Sequence, residues 1–225
     1  MTDQPGKLVT IAVLGGTGKE GSGLALRWAD SGYKVIIGSR SAERAADAAA
    51  KLNETLGSDV VHKFENAEAA AKSDVIVLSV PYDAHASTLE AVKDHLVGKI
   101  LVDVTVPIVP PKIRQVTVPK GGAAALEAQT LLDGTDVRVV SAFQNVSATH
   151  LKKLGHPVEC DVLVCGDDDD AKEDVIQLVK AAGMRGFDAG PLANAVATEA
   201  LTPVLMYMNK RYGVPGTGLR ITGLA

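Results

Sequence analysis

Three glycines near the amino terminus, Gly16, Gly18 and Gly21, have the spacing G-x-G-x-x-G. Glycines at these positions allow a tight turn, let backbone N–H groups approach a pyrophosphate, and let the following helix pack closely on the preceding strand. The amino terminus of that helix would face the phosphates with its partial positive charge. The spacing therefore predicts a loop that binds the pyrophosphate of a dinucleotide.

Ser39 and Arg40 could also contact the dinucleotide, because they directly follow the next apolar segment, residues 33–38. In a unit that binds NAD, an acidic residue at this place usually contacts the ribose 2′-hydroxyl, but neither Asp nor Glu is present here. A hydroxyl and a planar, charged guanidinium suit a 2′-phosphate, and Arg44 would lie one helical turn further on the same side. The pattern favours NADP over NAD. The alternative is that both arginines are solvated surface charges.

The segments that would position these residues alternate between β-branched apolar runs and helical patterns, which is typical of a doubly wound α/β sheet. Strands are predicted at residues 8–14, 33–38, 60–64, 74–80, 99–104, 137–143, 158–165 and 187–192. We therefore predict a Rossmann-type, doubly wound and mostly parallel sheet with a small C-terminal α/β extension. Residues 1–142 would form an NADP-binding domain and residues 143–225 a smaller C-terminal domain.

Helix signals separate the predicted strands. Ser41 is a plausible N-cap for residues 41–56, Gly57 ends that helix, and Asn66 is predicted to cap a shorter one. Further helices are predicted up to residue 95, at 122–132, up to 182 and at 193–211. Four aspartates at 167–170 resemble a metal site at first sight. Capping of the following helix explains them better, so no metal is predicted.

Ligands of open α/β sheets bind beyond the carboxyl ends of the strands. Val80 and Pro81 end the fourth predicted strand and are expected to line the cofactor cleft, with Pro81 bordering an apolar ring. His85 could act as a general acid, but a single histidine in the first turn of a helix is more often structural. We favour the structural role.

Composition limits the classes of function. The chain has 225 residues, 46% hydrophobic residues and a net charge of −4, which predicts no general attraction to nucleic acid or to an anionic membrane. Cys160 and Cys165 have no partners at metal-ligand spacing and suggest reduced, buried thiols. The start of the chain carries no signal sequence, and no apolar run approaches the length that spans a bilayer. A cytoplasmic protein is expected.

The predicted helix at 193–211 carries a strongly apolar run that includes Leu201, Val204 and Met208. A helix of this kind is expected to pack against another subunit, most simply in a homodimer, or against the cofactor cleft. Burial within one subunit is the competing interpretation.

Several short sequence motifs together resemble those of one family. They are residues 13–18 (VLGGTG), 23–27 (GLALR), 38–40 (GSR), 140–142 (VSA), 164–168 (VCGDD), 188–192 (DAGPL) and 199–203 (EALTP). This set is similar to the coenzyme F420-dependent NADP reductases, and it covers nearly the whole chain. The resemblance implies hydride transfer between the deazaflavin ring of F420 and the nicotinamide of NADP. In such a transfer the cofactors do the chemistry, so no residue is predicted to be an essential acid or base.

The resemblance also implies roles for individual residues. Gly16, Thr17, Gly18, Lys19 and Glu20 would contact the pyrophosphate, mainly through backbone groups, and Ser39, Arg40 and Arg44 would hold the 2′-phosphate. Pro81, His85 and Ala148 would border the nicotinamide. Gln144, Asn145 and Val146, in the smaller domain, would lie near the deazaflavin, although Gln144 stands where family members often have histidine. Candidates for binding the anionic tail of F420 are Lys120, Lys152, Lys153, Lys210 and Arg211.

Two other functions remain open at this point. The chain could be an NADP-dependent reductase of a small imine or keto acid, such as a pyrroline-carboxylate reductase, which shares the glycine loop. The segment after Ala142 is short for the dimerisation domain of those enzymes. It could also be a non-catalytic NADP-sensing module, but such a module would leave residues 144–155 without a role.

Overall fold

The computed structural model describes residues 9–224. Its centre is an eight-stranded sheet with the order β3-β2-β1-β4-β5-β6-β7-β8. The strands are β1 (Thr10–Leu14), β2 (Lys34–Ser39), β3 (Val61–Glu65), β4 (Val75–Leu78), β5 (Ile100–Asp103), β6 (Arg138–Ser141), β7 (Asp161–Gly166) and β8 (Arg185–Asp188). All neighbouring strands are parallel except β6 and β7. The first six strands have the Rossmann order, so the predicted fold class is confirmed.

Helices cover both faces of this sheet. They are α1 (Lys19–Asp30), α2 (Ala42–Leu56), α3 (Asn66–Ala71), α4 (His85–Val92), α5 (Ala124–Leu131), α6 (Ala148–Leu151), α7 (Asp169–Ala181) and α8 (Ala195–Tyr212). Short 3₁₀ turns precede α4 and α8 and follow α4. The part of the strand prediction that falls on Leu8, and the prediction of a leader-free amino terminus, lie outside the described residues.

Local sequence explains most of these boundaries. The Ser41 hydroxyl accepts a hydrogen bond from the Arg44 N–H at 3.3 Å, and Gly57 ends α2 in a left-handed conformation with φ of 65°. Asp168 caps α7 by accepting from the Ala171 N–H at 2.7 Å. The predicted cap at Asn66 is wrong. Glu65 takes the N-cap position of α3, while Asn66 is already helical.

The strand β4 reads VIVL, and all four of its residues are buried, as expected for a parallel strand that is covered on both faces. One hydrophobic core packs α1, α2 and α7 on one face, and a second packs α3, α4 and α5 on the other. Trp28 of α1 is fully buried, donates to the Leu178 carbonyl at 2.8 Å and packs edge-on against Phe143. The loop after β6 is thereby held against α1.

Arg27 ties α1 to the carboxyl-terminal part of the chain. Its buried guanidinium donates to five backbone carbonyls, those of Leu151, Ala182, His150, Lys153 and His156, at 2.7 to 3.2 Å. Burial lowers the pKa of Arg27. The two predicted domains thus share one sheet and both hydrophobic cores. The division near residue 142 stays a prediction.

Asp161 at the start of β7 holds the last residues of the chain. Its fully buried carboxylate accepts from Arg185 at 2.6 and 2.9 Å, from Arg220 at 3.3 Å and from the Ile221 N–H at 2.6 Å. The hydrogen bond from Arg185 is the main reason that the pKa of Asp161 falls to about 2.

Cys160 and Cys165 are both buried free thiols, as the sequence predicted. Burial raises the pKa of each thiol. Among residues 9–224, no helix has the length and apolar character needed to cross a membrane.

Candidate functional site

Gly15 and Gly16, in the turn after β1, leave no room for side chains. Gly15 has φ of 73°, and its N–H donates to the Gly38 carbonyl at 3.1 Å. A Cβ atom on Gly16 would lie 2.8 Å from the Val13 carbonyl oxygen and 2.9 Å from the Ile37 Cδ1 atom. Gly18 is the N-cap residue of α1, and among the described residues no side chain accepts a hydrogen bond from the first-turn N–H groups of this helix. These N–H groups point toward the exposed loop of Thr17, Gly18 and Lys19. This is the cradle that a pyrophosphate requires.

A cleft of about 590 Å³ begins beside this turn. Its walls come from the residues that follow β1, β4, β5 and β6, together with one residue of α8. They are Gly18, Lys19, Glu20, Ser79, Val80, Pro81, Tyr82, Asp83, Val104, Thr105, Val106, Ile108, Val109, Pro110, Phe143, Gln144, Val146 and Thr202. The volume lies within the range of small-molecule sites, about 300 to 1,000 Å³. The cleft opens where strand order reverses between β1 and β4, the place where such sheets bind ligands.

The second strand ends close to this turn, because Gly38 pairs with Leu14. Ser39 is buried, and its hydroxyl accepts from the Ser41 N–H at 3.2 Å, which leaves the hydroxyl proton available. Arg40 and Arg44 are exposed, and neither forms an ion pair within the part of the chain that the structure describes. Arg44 and Thr17 both line a groove between α1 and α2. Ser39, Arg40 and Arg44 therefore lie near the glycine turn, as the predicted binding of a 2′-phosphate requires.

Asp103 at the end of β5 connects three residues around the cleft. Its Oδ2 atom lies 2.6 Å from His85 Nε2, and its Oδ1 atom accepts from the Thr105 N–H at 2.9 Å. The Asp103 carbonyl accepts from the Gln144 side-chain amide at 2.7 Å. Asp103 itself is fully buried, so it sets the positions of Thr105 and Gln144 without reaching the cleft.

His85 does not line the cleft, contrary to the role that the resemblance implied at the nicotinamide. Its ring is 2% exposed and is held by Asp103. Burial lowers the pKa of His85, but the hydrogen bond to Asp103 and the charges of Asp103, Glu199 and Glu127 outweigh this, so the pKa is raised. The structural role that the sequence favoured agrees with this placement.

Glu199 of α8 lies on the same side of the sheet. Its buried carboxyl accepts from the Ala124 and Ala125 N–H groups at 2.7 and 3.1 Å, and thus caps α5 from a distance in sequence. Burial raises the pKa of Glu199 to about 8, against the lowering effect of these two hydrogen bonds. Together with Glu127, which accepts from Tyr82 at 2.7 Å, it surrounds the His85–Asp103 pair with acidic groups.

Some of the site residues predicted in the loop after β6 line the cleft, and others do not. Gln144 and Val146 line the cleft. Asn145 points away from it and donates to the Asp161 carbonyl at 2.7 Å and to Cys160 at 3.1 Å. Ala148 begins α6 and is not part of the cleft wall. Phe143, just before Gln144, has a left-handed backbone conformation with φ of 74°.

Thr105, Ile108 and Thr202 also line the cleft, although sequence reasoning did not name them as site residues. Thr105 follows the apolar run ILVD, so its place beyond the carboxyl end of a central strand was the available signal. Thr202 lies in α8 and donates to the Gln144 carbonyl at 2.6 Å. No periodicity marks it, although it lies within residues 199–203 (EALTP), one of the segments that resemble the family.

The cations proposed for an anionic tail lie in different places. Lys210 and Arg211 line a surface pocket of about 350 Å³ together with Arg114 and Tyr207. Lys152 lines the groove between α1 and α2, and Lys153 lines a separate cavity beside Arg27. Lys120 is exposed in the loop before α5. Lys152 shares its groove with Arg44 and Lys51, and Lys153 shares its cavity with Arg27. The pair on α8 brings two of the candidates together with Arg114 on one pocket.

Comparison with known proteins supplies independent information. Residues 10–107 match the family model described as "NADP oxidoreductase coenzyme F420-dependent". The chain is 44% identical over 223 residues to the F420-dependent NADP reductase of Methanocaldococcus jannaschii, covering 95% of this chain and 98% of the relative. It is also 44% identical over 225 residues to the enzyme of that name from Methanothermobacter thermautotrophicus, covering 96% of each.

A solved structure agrees with these relatives. The crystal structure of a candidate F420-dependent NADP reductase from Arthrobacter sp. FB24 superposes with a TM-score of 0.79 at 27% identity. The superposition covers 95% of this chain and 99% of the other. The likeness therefore includes the segments on both sides of residue 142.

Proposed function

Because the chain belongs to the family of F420-dependent NADP reductases, we propose that its cleft brings coenzyme F420 and NADP together for hydride transfer. The reaction is F420H2 plus NADP⁺ giving F420, NADPH and a proton, or its reverse. The observation that carries this proposal is the 44% identity over nearly the whole length of both chains. The two substrates supply the hydride donor and acceptor.

The residues after β1 and β2 fit the dinucleotide. Gly15 and Gly16 occupy positions where a Cβ atom would collide with Ser79 or Val13, so backbone N–H groups can approach a pyrophosphate. The amino terminus of α1 adds favourable partial charge. Ser39, Arg40 and Arg44 would bind the 2′-phosphate, with the exposed guanidinium groups supplying charge-assisted hydrogen bonds.

The residues after β4, β5 and β6 fit two planar rings. Val80, Pro81, Ile108 and Val146 give the cleft apolar walls, which would exclude water and hold the rings at reaction distance. No side chain at the cleft needs to give or take a proton during hydride transfer. The protein's contribution is orientation and exclusion of water.

The phosphate and polyglutamate tail of F420 needs cations in a protein of net charge −4. Arg114, Lys210 and Arg211 line one pocket. Thr202, which is in the cleft, lies about two helical turns before Lys210 on α8. We place the tail along this part of α8.

The assembly and location of the protein are part of the same proposal. Val204, Met208 and Tyr212 are 43%, 37% and 69% exposed and follow the i, i+4 spacing of one face of α8. An exposed apolar stripe of this kind fits a homodimer contact. The buried thiols Cys160 and Cys165 suit the reducing cytoplasm.

A spectrophotometric assay tests the proposed function. Purified protein mixed with NADPH and F420 should bleach the deazaflavin absorbance, and Gln144→Ala should slow this reaction by less than about a thousandfold, the scale of a lost acid, base or oxyanion donor. Absence of any reaction with F420, combined with turnover of a small imine or keto acid, would instead support the reductase alternative. The comparisons do not favour that alternative, nor an NADP-sensing module.

A further inference from the structure

Three residues that carry unpartnered polar atoms line the same cleft. Within residues 9–224, four buried side-chain oxygen atoms have no hydrogen-bond partner, those of Glu20 (Oε1), Asn66 (Oδ1), Thr105 (Oγ1) and Gln144 (Oε1). Three of these residues, Glu20, Thr105 and Gln144, line the same cleft. Folded proteins satisfy about 90% or more of such buried groups. A cluster of exceptions in a ligand cleft indicates that a ligand completes their hydrogen bonds.

Gln144 offers only an acceptor. Its side-chain amide donates to the Asp103 carbonyl at 2.7 Å and to the Ser141 hydroxyl at 2.8 Å, which uses both amide hydrogens. Exchanging the amide oxygen and nitrogen would turn the oxygen toward the Asp103 carbonyl, so the orientation is fixed. With 5% of the residue exposed, the remaining oxygen is buried and ready to accept from an N–H group.

Thr105 offers a donor beside this acceptor. Its backbone N–H is used by Asp103, but its hydroxyl is free, and the residue is 2% exposed. Thr105 follows β5 and Gln144 follows β6, and these neighbouring strands are paired through Asp103 and Ser141. Both side chains are therefore held by the same rigid sheet edge.

Glu20 offers a second donor at neutral pH. Its carboxyl group is on the first turn of α1, and burial raises its pKa to about 8. The other titratable side chains at the cleft are Lys19, Tyr82 and Asp83, and Cys160 interacts with Glu20 from the segment before β7. Charge on Glu20 would be unfavourable beside a pyrophosphate, whereas a neutral carboxyl can donate its O–H.

We propose that Glu20, Thr105 and Gln144 together recognise the pyrimidinedione edge of the deazaflavin ring. That edge carries a carbonyl, an N–H and a second carbonyl in sequence, which is an acceptor, a donor and an acceptor. The protein presents two donors and one acceptor, the complementary set. A nicotinamide carboxamide has one carbonyl and one NH₂ group, so it matches this set less well. The inference rests on the proposed function, since it concerns the second substrate of that reaction.

Binding measurements without turnover test this assignment. F420 is titrated into the protein, its fluorescence gives the Kd, and NADPH is titrated separately. Thr105→Val and Gln144→Met should each weaken F420 binding by about fivefold to tenfold, the loss of one hydrogen bond, and leave the Kd for NADPH within twofold. Glu54→Gln and Thr130→Val, exposed substitutions of the same kinds on α2 and α5, are the matched controls.

Glu20 is tested by pH. The wild-type affinity for F420 should fall as pH rises through the pKa of Glu20, near 8, because the carboxylate can no longer donate. Glu20→Gln keeps an N–H donor at every pH, so its affinity should lack this component. If Glu20→Gln keeps the wild-type pH dependence, the role given to Glu20 is wrong.

An altered ligand tests the acceptor without changing the protein. F420 methylated at the ring nitrogen between the two carbonyls should bind wild type at least about fivefold more weakly than F420. Equal binding of both ligands, wild-type Kd values in the two variants, or weakened NADPH binding in place of F420 binding would each overturn the proposal. Failure of wild type to bind F420 at all would overturn the proposed function itself.

Discussion

His85 Nε2 and Asp103 Oδ2 lie 2.6 Å apart, and neither side chain is more than 3% exposed. The carboxylate belongs to the end of β5 and the imidazole to the start of α4. Through its other oxygen and its carbonyl, Asp103 also holds Thr105 and Gln144 in the cleft. A pair in the core thereby holds two residues that line the cleft.

Removal of the Asp103 carboxylate should lower the free energy of unfolding substantially. Asp103→Ala leaves His85 and the Thr105 N–H without a partner, so we expect the free energy of unfolding in urea to fall by about 3 to 5 kcal/mol, the range for breaking a buried pair. Glu68→Ala is the control, because its pair with Lys72 is about half exposed at 3.6 Å and should contribute less than about 1 kcal/mol. Equal losses in the two variants would contradict the role given to Asp103.

The same pair should give stability a pH dependence. The folded-state pKa of His85 is raised above its ordinary 6.5, so the contribution is complete below 6.5 and is lost as pH rises through the folded pKa. Urea unfolding between pH 5.5 and 9 should therefore show a smaller loss of stability in His85→Gln than in wild type. The difference between the two proteins is the informative quantity, since the raised pKa values of Glu20 and Glu199 act in the same direction.

Discrimination between NADPH and NADH should depend on Arg40. We expect Arg40→Ala to lower kcat/KM for NADPH by about 10- to 100-fold, the loss of a charge-assisted hydrogen bond, and to change the value for NADH by less than about threefold. Lys51→Ala, further along α2 on the groove that contains Arg44, serves as the control. A parallel loss with both dinucleotides would place Arg40 away from the 2′-phosphate.

Reversal of charge on α8 should raise the KM for F420 and leave the KM for NADPH nearly unchanged. Lys210→Glu with Arg211→Glu should raise the KM for F420 by at least about tenfold, because both side chains line the pocket proposed for the tail. The KM for NADPH should stay within twofold, and the effect should shrink at high salt. Lys120→Glu provides an exposed comparison outside that pocket. Equal changes for both substrates would exclude this pocket as the tail site.

Low pH should weaken the hydrogen bonds by which Asp161 holds the last residues of the chain. Because the pKa of Asp161 is lowered from 3.8 to about 2, its contribution is present above pH 3.8 and is lost as pH falls through 2. The shift corresponds to at most about 2.5 kcal/mol. Thermal unfolding of wild type and Asp161→Asn should therefore converge below about pH 2 and differ above about pH 4. A constant difference across this range would show that Asp161 acts through packing.

The sequence predicted the elements that depend on local chemistry. The glycine turn, the caps at Ser41 and Asp168, and the β-branched central strand β4 each follow from a few neighbouring residues. The pairing of β6 with β7 in the antiparallel sense was not specified, because it is a tertiary contact that leaves no periodic signal.

The candidate site was predictable in its outline but not in all of its side chains. Position at the end of a strand placed Val80 and Pro81 at the cleft, and the family resemblance placed the 144–146 loop there; Val80, Pro81, Gln144 and Val146 line it. His85, which the resemblance placed at the nicotinamide, is buried against Asp103, and the pairing of β4 with β5 brings Asp103 to it. Asn145 turned away from the cleft since Cys160 and Asp161, 15 and 16 residues later, offer it hydrogen-bond partners. Such contacts are tertiary and leave no periodic signal.

Arg27 makes the chain difficult to divide. A fragment ending at residue 142 would keep this guanidinium but lose every one of its five carbonyl partners, together with the acceptor of the Trp28 indole. The amino-terminal portion expressed alone would expose a charged group and a large aromatic ring on one helix. Circular permutation, or reconstitution from two co-expressed halves, is therefore a better route to separating the dinucleotide region from the rest than simple truncation.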